Sequence, residues 1–456
     1  MADPSGTTGT GGLRRALTGR QLGMIGLGGA IGTGLFLGSA LAISHAGPAT
    51  VLAYALCALV AFVIAWALAE MVVVHPEAGS FGAIAHRYLG PLAGFVQRWT
   101  YWTIQAIAVG GEIVAAGLYV RFWWPQLPLW PLVVTFAVLA LGTNALAVRF
   151  FGTVEYWLAM IKVVAIAVFI GLGLVLITVG LPRSPATGLA NLTAHGGFLP
   201  NGLEGLFLAM VFVLFSYIGT EVVAVTAAES ERPERDIPRA ARRMVLRLVL
   251  FYVLAIAVVV AVAPWTATAQ GGAVDASPFV RVVEGAGIPA AATIVNFVVL
   301  TAALSSANTN LYLTTRMLHS LAADRYAPAW AGRVSRTGVP RNALALSASG
   351  PGLAIALSAV TDSAYLALFG ISVFGALLVW ILILSTHWAF RRAATRRSPV
   401  RLWGAPVTSG LAALFLLAVL VSTAFIDGLD TAWMVGLPFF AVLVVAHTVI
   451  TRRRSR

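Results

Sequence analysis

An all-α polytopic membrane protein with about twelve spans is the fold this sequence predicts, on three observations. First, 59% of the 456 residues are hydrophobic and 10% are charged, where a soluble globular domain carries about 25% charge. Second, apolar stretches of ~20 residues recur along the whole chain. Third, arginine marks every second connection: Arg14, Arg15 and Arg20, then Arg87 and Arg98, Arg149, Arg232 to Arg247, Arg316 to Arg341, Arg391 to Arg401, and Arg452 to Arg456. The opposite connections hold Arg121, Arg183 and Arg281. Under the positive-inside rule an even number of spans then puts both termini in the cytoplasm, with Trp123, Trp124, Trp130 and Trp265 at the outer edge.

The spans fall in order at about 22–45, 49–74, 92–120, 129–148, 154–180, 202–228, 244–265, 289–315, 343–361, 363–387, 407–426 and 431–450. No short apolar leader with a cleavage site precedes the first, so no removable signal peptide is expected. The loops at Pro76 to Tyr88, Glu229 to Arg243 and Asp324 to Arg341 read as solvated connectors with some interfacial helix. The net charge of +13 sits in short loops beside apolar runs, which points to anionic lipid headgroups and not to nucleic acid. Cys57 is the one cysteine, so no internal disulfide forms. The seven histidines show no paired spacing, and no metal site is expected.

The first span contains Gly28-Gly29-Ala30-Ile31-Gly32-Thr33-Gly34. Each glycine costs a helix roughly 1 kcal/mol relative to alanine. Backbone groups freed there must face protein, water or a ligand, because lipid satisfies none of them. The sixth span contains Phe215-Ser216-Tyr217-Ile218-Gly219-Thr220-Glu221, one glycine between hydroxyls with a carboxylate beside it. If spans one to five and six to ten form two repeats, the breaks are equivalent, and an odd repeat length makes the repeats inverted. Interrupted helices at matching positions mark a midplane site. The units expected are a tail at 1–20, repeats at 21–180 and 202–387, two further helices at 407–450, and a tail at 451–456.

The candidate ligand site is therefore Ala30, Ile31, Gly32, Thr33 and Gly34 with Phe215, Ser216, Tyr217, Ile218 and Gly219. Amides of Gly32, Thr33 and Gly34 suit a carboxylate. Carbonyls freed near Ala30 and Ile218 suit an ammonium. The pair fits a zwitterion such as an α-amino acid. A phosphate loop is excluded, since GxxxxGK[ST] is absent and the run lies inside a span.

Three ionisable residues lie within spans. Lys162 is the single lysine among 30 basic residues and sits about 12 Å into the fifth span. A buried lysine can release its proton near neutrality and an arginine cannot. Lys162 reads either as a proton-exchanging cation or as a snorkelling or statically paired one. Glu112, after Gly110 and Gly111, can line the cavity, exchange a proton or make a structural hydrogen bond. Glu221 reads as a brace for the second break. Glu70 and Glu229 read as interfacial. Ser305, Ser306, Asn308, Thr309 and Asn310 in the eighth span either line the path or bond between helices. No nucleophile, base or metal ligands converge, so an enzyme is not expected.

These residues resemble a known family. The glycine run with Leu35-Phe36, Glu70-Met71, Pro76 to Phe81, Ile161-Lys162-Val163, Ser216 to Glu221, Arg316-Met317-Leu318 and Gly338-Val339-Pro340 are similar to bacterial amino-acid permeases of the amino acid–polyamine–organocation superfamily, nearest the aromatic, lysine and γ-aminobutyrate group. The resemblance implies the leucine-transporter fold, two inverted five-helix repeats plus two C-terminal helices. It implies a carboxylate on the Gly32-Thr33-Gly34 amides, an amino group on carbonyls near Ala30, Phe215 and Ile218, and Phe215 as a gate. It implies that Lys162 takes the place of a sodium ion and, with Glu112, serves proton coupling. The expected activity is proton-coupled import of α-amino acids at the cytoplasmic membrane. The alternative is an exchanger or a polyamine or cationic amino-acid carrier on the same fold. No cofactor is expected, the chain is expected as a monomer or weak dimer in lipid, and the Thr103 to Gly111 stretch names no substrate.

Overall fold

A computed structural model describes residues 24, 30–75, 80–146, 148–182, 184–225, 233–269, 277–287, 289–335, 338–361, 363–393, 398–426, 429 and 431–454. The tail at 1–20, Gly28 and Gly29 of the glycine run, Pro76 to Gly79 and Glu229 to Arg232 lie outside them. Among the described residues, nine helices are long and apolar enough to cross a membrane, and Leu129–Ala145 and Gly202–Tyr217 are shorter apolar helices. The first of the nine, Thr33–Val74, holds two predicted spans. They are separated by the 3-10 turn Gly47–Ala49, where Gly47 has φ +56°.

The spans are α1 (Thr33–Phe36 and Gly38–Ala46), α2 (Thr50–Val74), α3 (Pro91–Arg121), α4 (Leu129–Ala145) and α5 (Val148–Thr178). After a two-stranded antiparallel hairpin pairing Gly180 with Pro185 come α6 (Gly202–Tyr217, then the single turn Val222–Val225) and α7 (Pro233–Val262). The rest are α8 (Pro289–Ala323), α9 (Arg341–Ser347 and Ser349–Val360), α10 (Ala364–Ala393), α11 (Val407–Ser422) and α12 (Thr431–Arg454). The divide between α9 and α10 is Thr361, extended at φ −150°, ψ 142°. Two readings change. Residues 233–243 are the start of α7 and not a connector. Helix α5 begins at Val148, before the apolar stretch that defined its span.

The packing repeats itself. Helix α1 lies along α6, α2 along α7, α3 along α8 and α4 along α9. Helix α5 packs on α7 and α8, and α10 packs on α2 and α3. Adding five to each helix number maps these pairs onto one another, as two inverted five-helix units require. Helix α11 leans on α10, α2 and α6, and α12 on α10 and α3. Helix α3 is the inner strut, with 83% of its apolar window buried against 11% for α12, which faces lipid. Gly110 of α3 meets Gly350 of α9, where a Cβ on Gly110 would lie 2.8 Å from the Gly350 carbonyl oxygen. Absent side chains let these two backbones touch.

Glu70 is not interfacial. It is 2% exposed and closes a cluster at one end of the bundle. Arg391 Nε lies 2.7 Å from its Oε1, and His387 Nε2 lies 3.2 Å from Oε2. The Leu402 amide donates to Oε2 at 2.7 Å. One carboxylate thus joins α2, α10 and the chain entering α11.

Candidate functional site

The two breaks meet each other. After Ala30 the chain bends at Ile31 and Gly32 before the turn Thr33–Phe36. Helix α6 ends at Tyr217, Ile218 is extended, and Gly219 has φ +106°. That left-handed conformation favours glycine. A Cβ on Gly34 would lie 2.9 Å from both Phe215 Cδ1 and Ser216 Cα, so the first break presses on the end of α6.

A narrow, partly open pocket lies beside this contact. Backbone from both breaks lines it at Ala30, Gly32, Gly34 and Ile218, together with Phe215. Helix α3 adds Ile104, Gln105, Ala108 and Glu112, α8 adds Ser306 and Asn310, and α10 adds Ser372. Phe215 packs on Phe369 at 4.3 Å between ring centroids, which aligns it along one wall.

The other candidates point elsewhere. Ser216 Oγ and Tyr54 OH are 3.1 Å apart, and Tyr217 donates to the Tyr54 carbonyl at 2.9 Å. Both side chains therefore tie α6 to α2. Lys162 is fully buried, and its Nζ donates to the Ile31 carbonyl at 2.7 Å. It does not snorkel. Fourteen residues after Val148, it lies about 21 Å along α5. The neighbouring carbonyl, Ala30, accepts from Tyr252 OH at 2.7 Å and from the Gly32 amide at 3.2 Å.

Glu112 occupies the amide expected to take a ligand carboxylate. The Thr33 amide donates to its Oε1 at 3.3 Å and Oε2 at 3.2 Å, and Ser306 Oγ donates to Oε1 at 2.9 Å. A Cβ on Gly32 would lie 2.5 Å from Glu112 Oε1, so glycine there makes room for the carboxylate.

Glu221 holds the second break. The Gly219 amide donates to its two oxygens at 3.1 and 3.0 Å, and Tyr101 OH and Trp380 Nε1 each donate at 3.3 Å. Glu221→Ala strands three buried donors and is expected to cost about 2–4 kcal/mol. A fall of several degrees in the melting temperature of detergent-solubilised protein checks this. Glu221→Gln, whose oxygen still accepts, should lose less, and an unchanged melting temperature in the alanine variant would remove the bracing role.

Sequence reasoning missed Glu155. It is fully buried on α5 and accepts from Ser305 Oγ and, at 3.3 Å, from Asn308 Nδ2. Asn308 Oδ1 in turn accepts from Asn144 Nδ2 at 2.7 Å and Thr143 Oγ1 at 2.9 Å on α4. Glu155 and Glu112 are the ionisable neighbours of Lys162. The signal was present: Glu155 precedes Lys162 by two helical turns and shares its face. Tyr252, on a helix distant in sequence, left no such trace. No cluster of metal-ligating side chains occurs among the described residues.

Comparison with known proteins places this architecture. A profile described as amino acid permease matches residues 21–456. The chain is 38% identical over 444 residues to the probable threonine/serine transporter YbxG of Bacillus subtilis, covering 96% of this chain and 95% of the relative. It is 39% identical over 413 residues to the aromatic amino acid transport protein AroP of Escherichia coli, covering 90% and 89%. It is 36% identical over 448 residues to the γ-aminobutyric acid permease of Bacillus subtilis, covering 97% and 95%. A many-span bundle with relatives of this kind is a membrane transport protein and not an enzyme. The chain belongs to the amino acid permease family.

Proposed function

We propose that this protein imports α-amino acids across the cytoplasmic membrane by proton symport, binding them where α1 and α6 are interrupted. The observation that carries the reading is the convergence of both breaks on one pocket, with Lys162 on the Ile31 carbonyl and Glu112 on the Thr33 amide. Backbone freed at membrane depth has to line a cavity or be buried in protein, and here it does both. Residues 21–180 and 202–387 serve as the two repeats that rock against each other. Both termini face the cytoplasm, on the arginine asymmetry of the loops. The proton is the coupling ion, and Lys162 and Glu112 are its carriers. The relatives are named for aromatic amino acids, threonine and serine, and γ-aminobutyrate, which supports a substrate without net charge on its side chain.

Purified protein in liposomes tests this. A pH gradient, acid outside, is expected to drive accumulation of labelled amino acid above equilibrium, and a protonophore should abolish it. Uptake indifferent to the gradient would refute symport, and counterflow without net accumulation would identify an exchanger.

A further inference from the structure

We infer that the transported amino acid carries an uncharged, hydrogen-bonding side chain, a hydroxyl or a carboxamide, and that Asn310 reads it. The inference rests on the transport reading above. Asn310 is 6% exposed and lines the pocket, and its carboxamide makes no hydrogen bond among the described residues. A carboxamide on a pocket wall that is not engaged by protein offers both a donor and an acceptor to what enters.

Its position sets the reach. Asn310 lies one turn, about 6 Å, along α8 from Ser306. Ser306 bonds Glu112, which bonds the Thr33 amide. Asn310 thus lies one helical turn from the group that meets the Thr33 amide, within reach of a side chain on an amino acid seated at the breaks. Two more polar groups share this part of the pocket. Gln105 Nε2 donates to Tyr101 OH at 2.9 Å, which leaves its carbonyl oxygen to accept. Ser372 Oγ donates to the Leu368 carbonyl at 2.8 Å, which leaves its lone pairs.

The same wall argues against charge. Among the described residues, Glu112 is the one ionisable residue lining the pocket, and its oxygens are held by Thr33 and Ser306. Among the described lining residues, a cationic side chain meets no spare carboxylate and an anionic one meets no cation. An aliphatic or aromatic side chain would bury the Asn310 amide without a partner, and a site built to hydrogen-bond its substrate rejects analogues that lack the group.

Isosteric pairs test this. Proteoliposomes are loaded with labelled L-threonine or L-glutamine, and L-valine or L-methionine competes in counterflow. Wild-type protein is expected to favour threonine over valine, or glutamine over methionine, by at least about tenfold. Asn310→Leu is expected to bring the ratio to about one or invert it while valine or methionine still moves. No preference in either pair, better transport of phenylalanine or lysine than of both polar substrates, or an unchanged ratio in Asn310→Leu would overturn the proposal. If Asn310→Leu fails to fold, Asn310→Ser must lower the ratio, and an unchanged ratio there has the same force. Counterflow of none of the twenty amino acids would instead remove the transport reading itself.

Discussion

Lys162→Met is expected to end gradient-driven accumulation, leaving the internal amino acid no higher than equilibrium. The ammonium is fully buried, donates to the Ile31 carbonyl at 2.7 Å, and has Glu155 and Glu112 as ionisable neighbours. Methionine keeps the length and removes the charge. It also leaves buried carboxylates without their cation, a loss that typically costs about 3–5 kcal/mol. The protein should therefore melt earlier as well as lose coupling. Lys162→Arg separates the two effects. It restores a cation but not one that releases its proton, so stability should partly return and accumulation should not. Accumulation in proteoliposomes alongside thermal melting checks both, and an Arg variant that accumulates normally would show that a fixed charge suffices.

Gly34→Ala is expected to abolish substrate binding, with uptake reduced by at least about a hundredfold. The added Cβ would lie 2.9 Å from Ser216 Cα and 2.9 Å from Phe215 Cδ1. The ring can turn, but the backbone atom can move only if α6 moves, and Ser216 and Tyr217 anchor α6 to Tyr54 of α2. Overpacking of this kind costs typically about 1–3 kcal/mol, and here the strain falls on the contact that shapes the pocket. Binding measured calorimetrically on purified variant protein is the check. Gly352→Ala, which meets nothing within 4 Å, serves as the control and should bind normally.

Depth was legible in the residues and azimuth was not. Hydropathy placed twelve apolar stretches and both interruptions, because a glycine run inside an apolar segment has few outcomes in lipid. Glu70 shows the limit. Its height near one end of α2 was read correctly, but which way it faced depends on α10 and the Leu402 amide, more than three hundred residues away. The apolar stretch starts the fifth span at Val154, whereas α5 begins at Val148 and carries Arg149 inside the helix. The sequence singles out Thr33 and Glu112 separately, as candidates on different spans. Their direct bond, between α1 and α3, follows from packing that no local pattern encodes.

That bond changes what binding means in this family member. A carboxylate already sits on the Thr33 amide, tethered there by α3 as an intramolecular competitor. A substrate carboxylate that takes the amide does so by replacement and not by addition. Its apparent affinity is the difference between two anions competing for one donor, and the internal competitor lowers it by the fraction of time it holds the place. On the proposed transport reading, loose binding would be a property of the resting site itself and would let cargo leave on the far side as readily as it arrived.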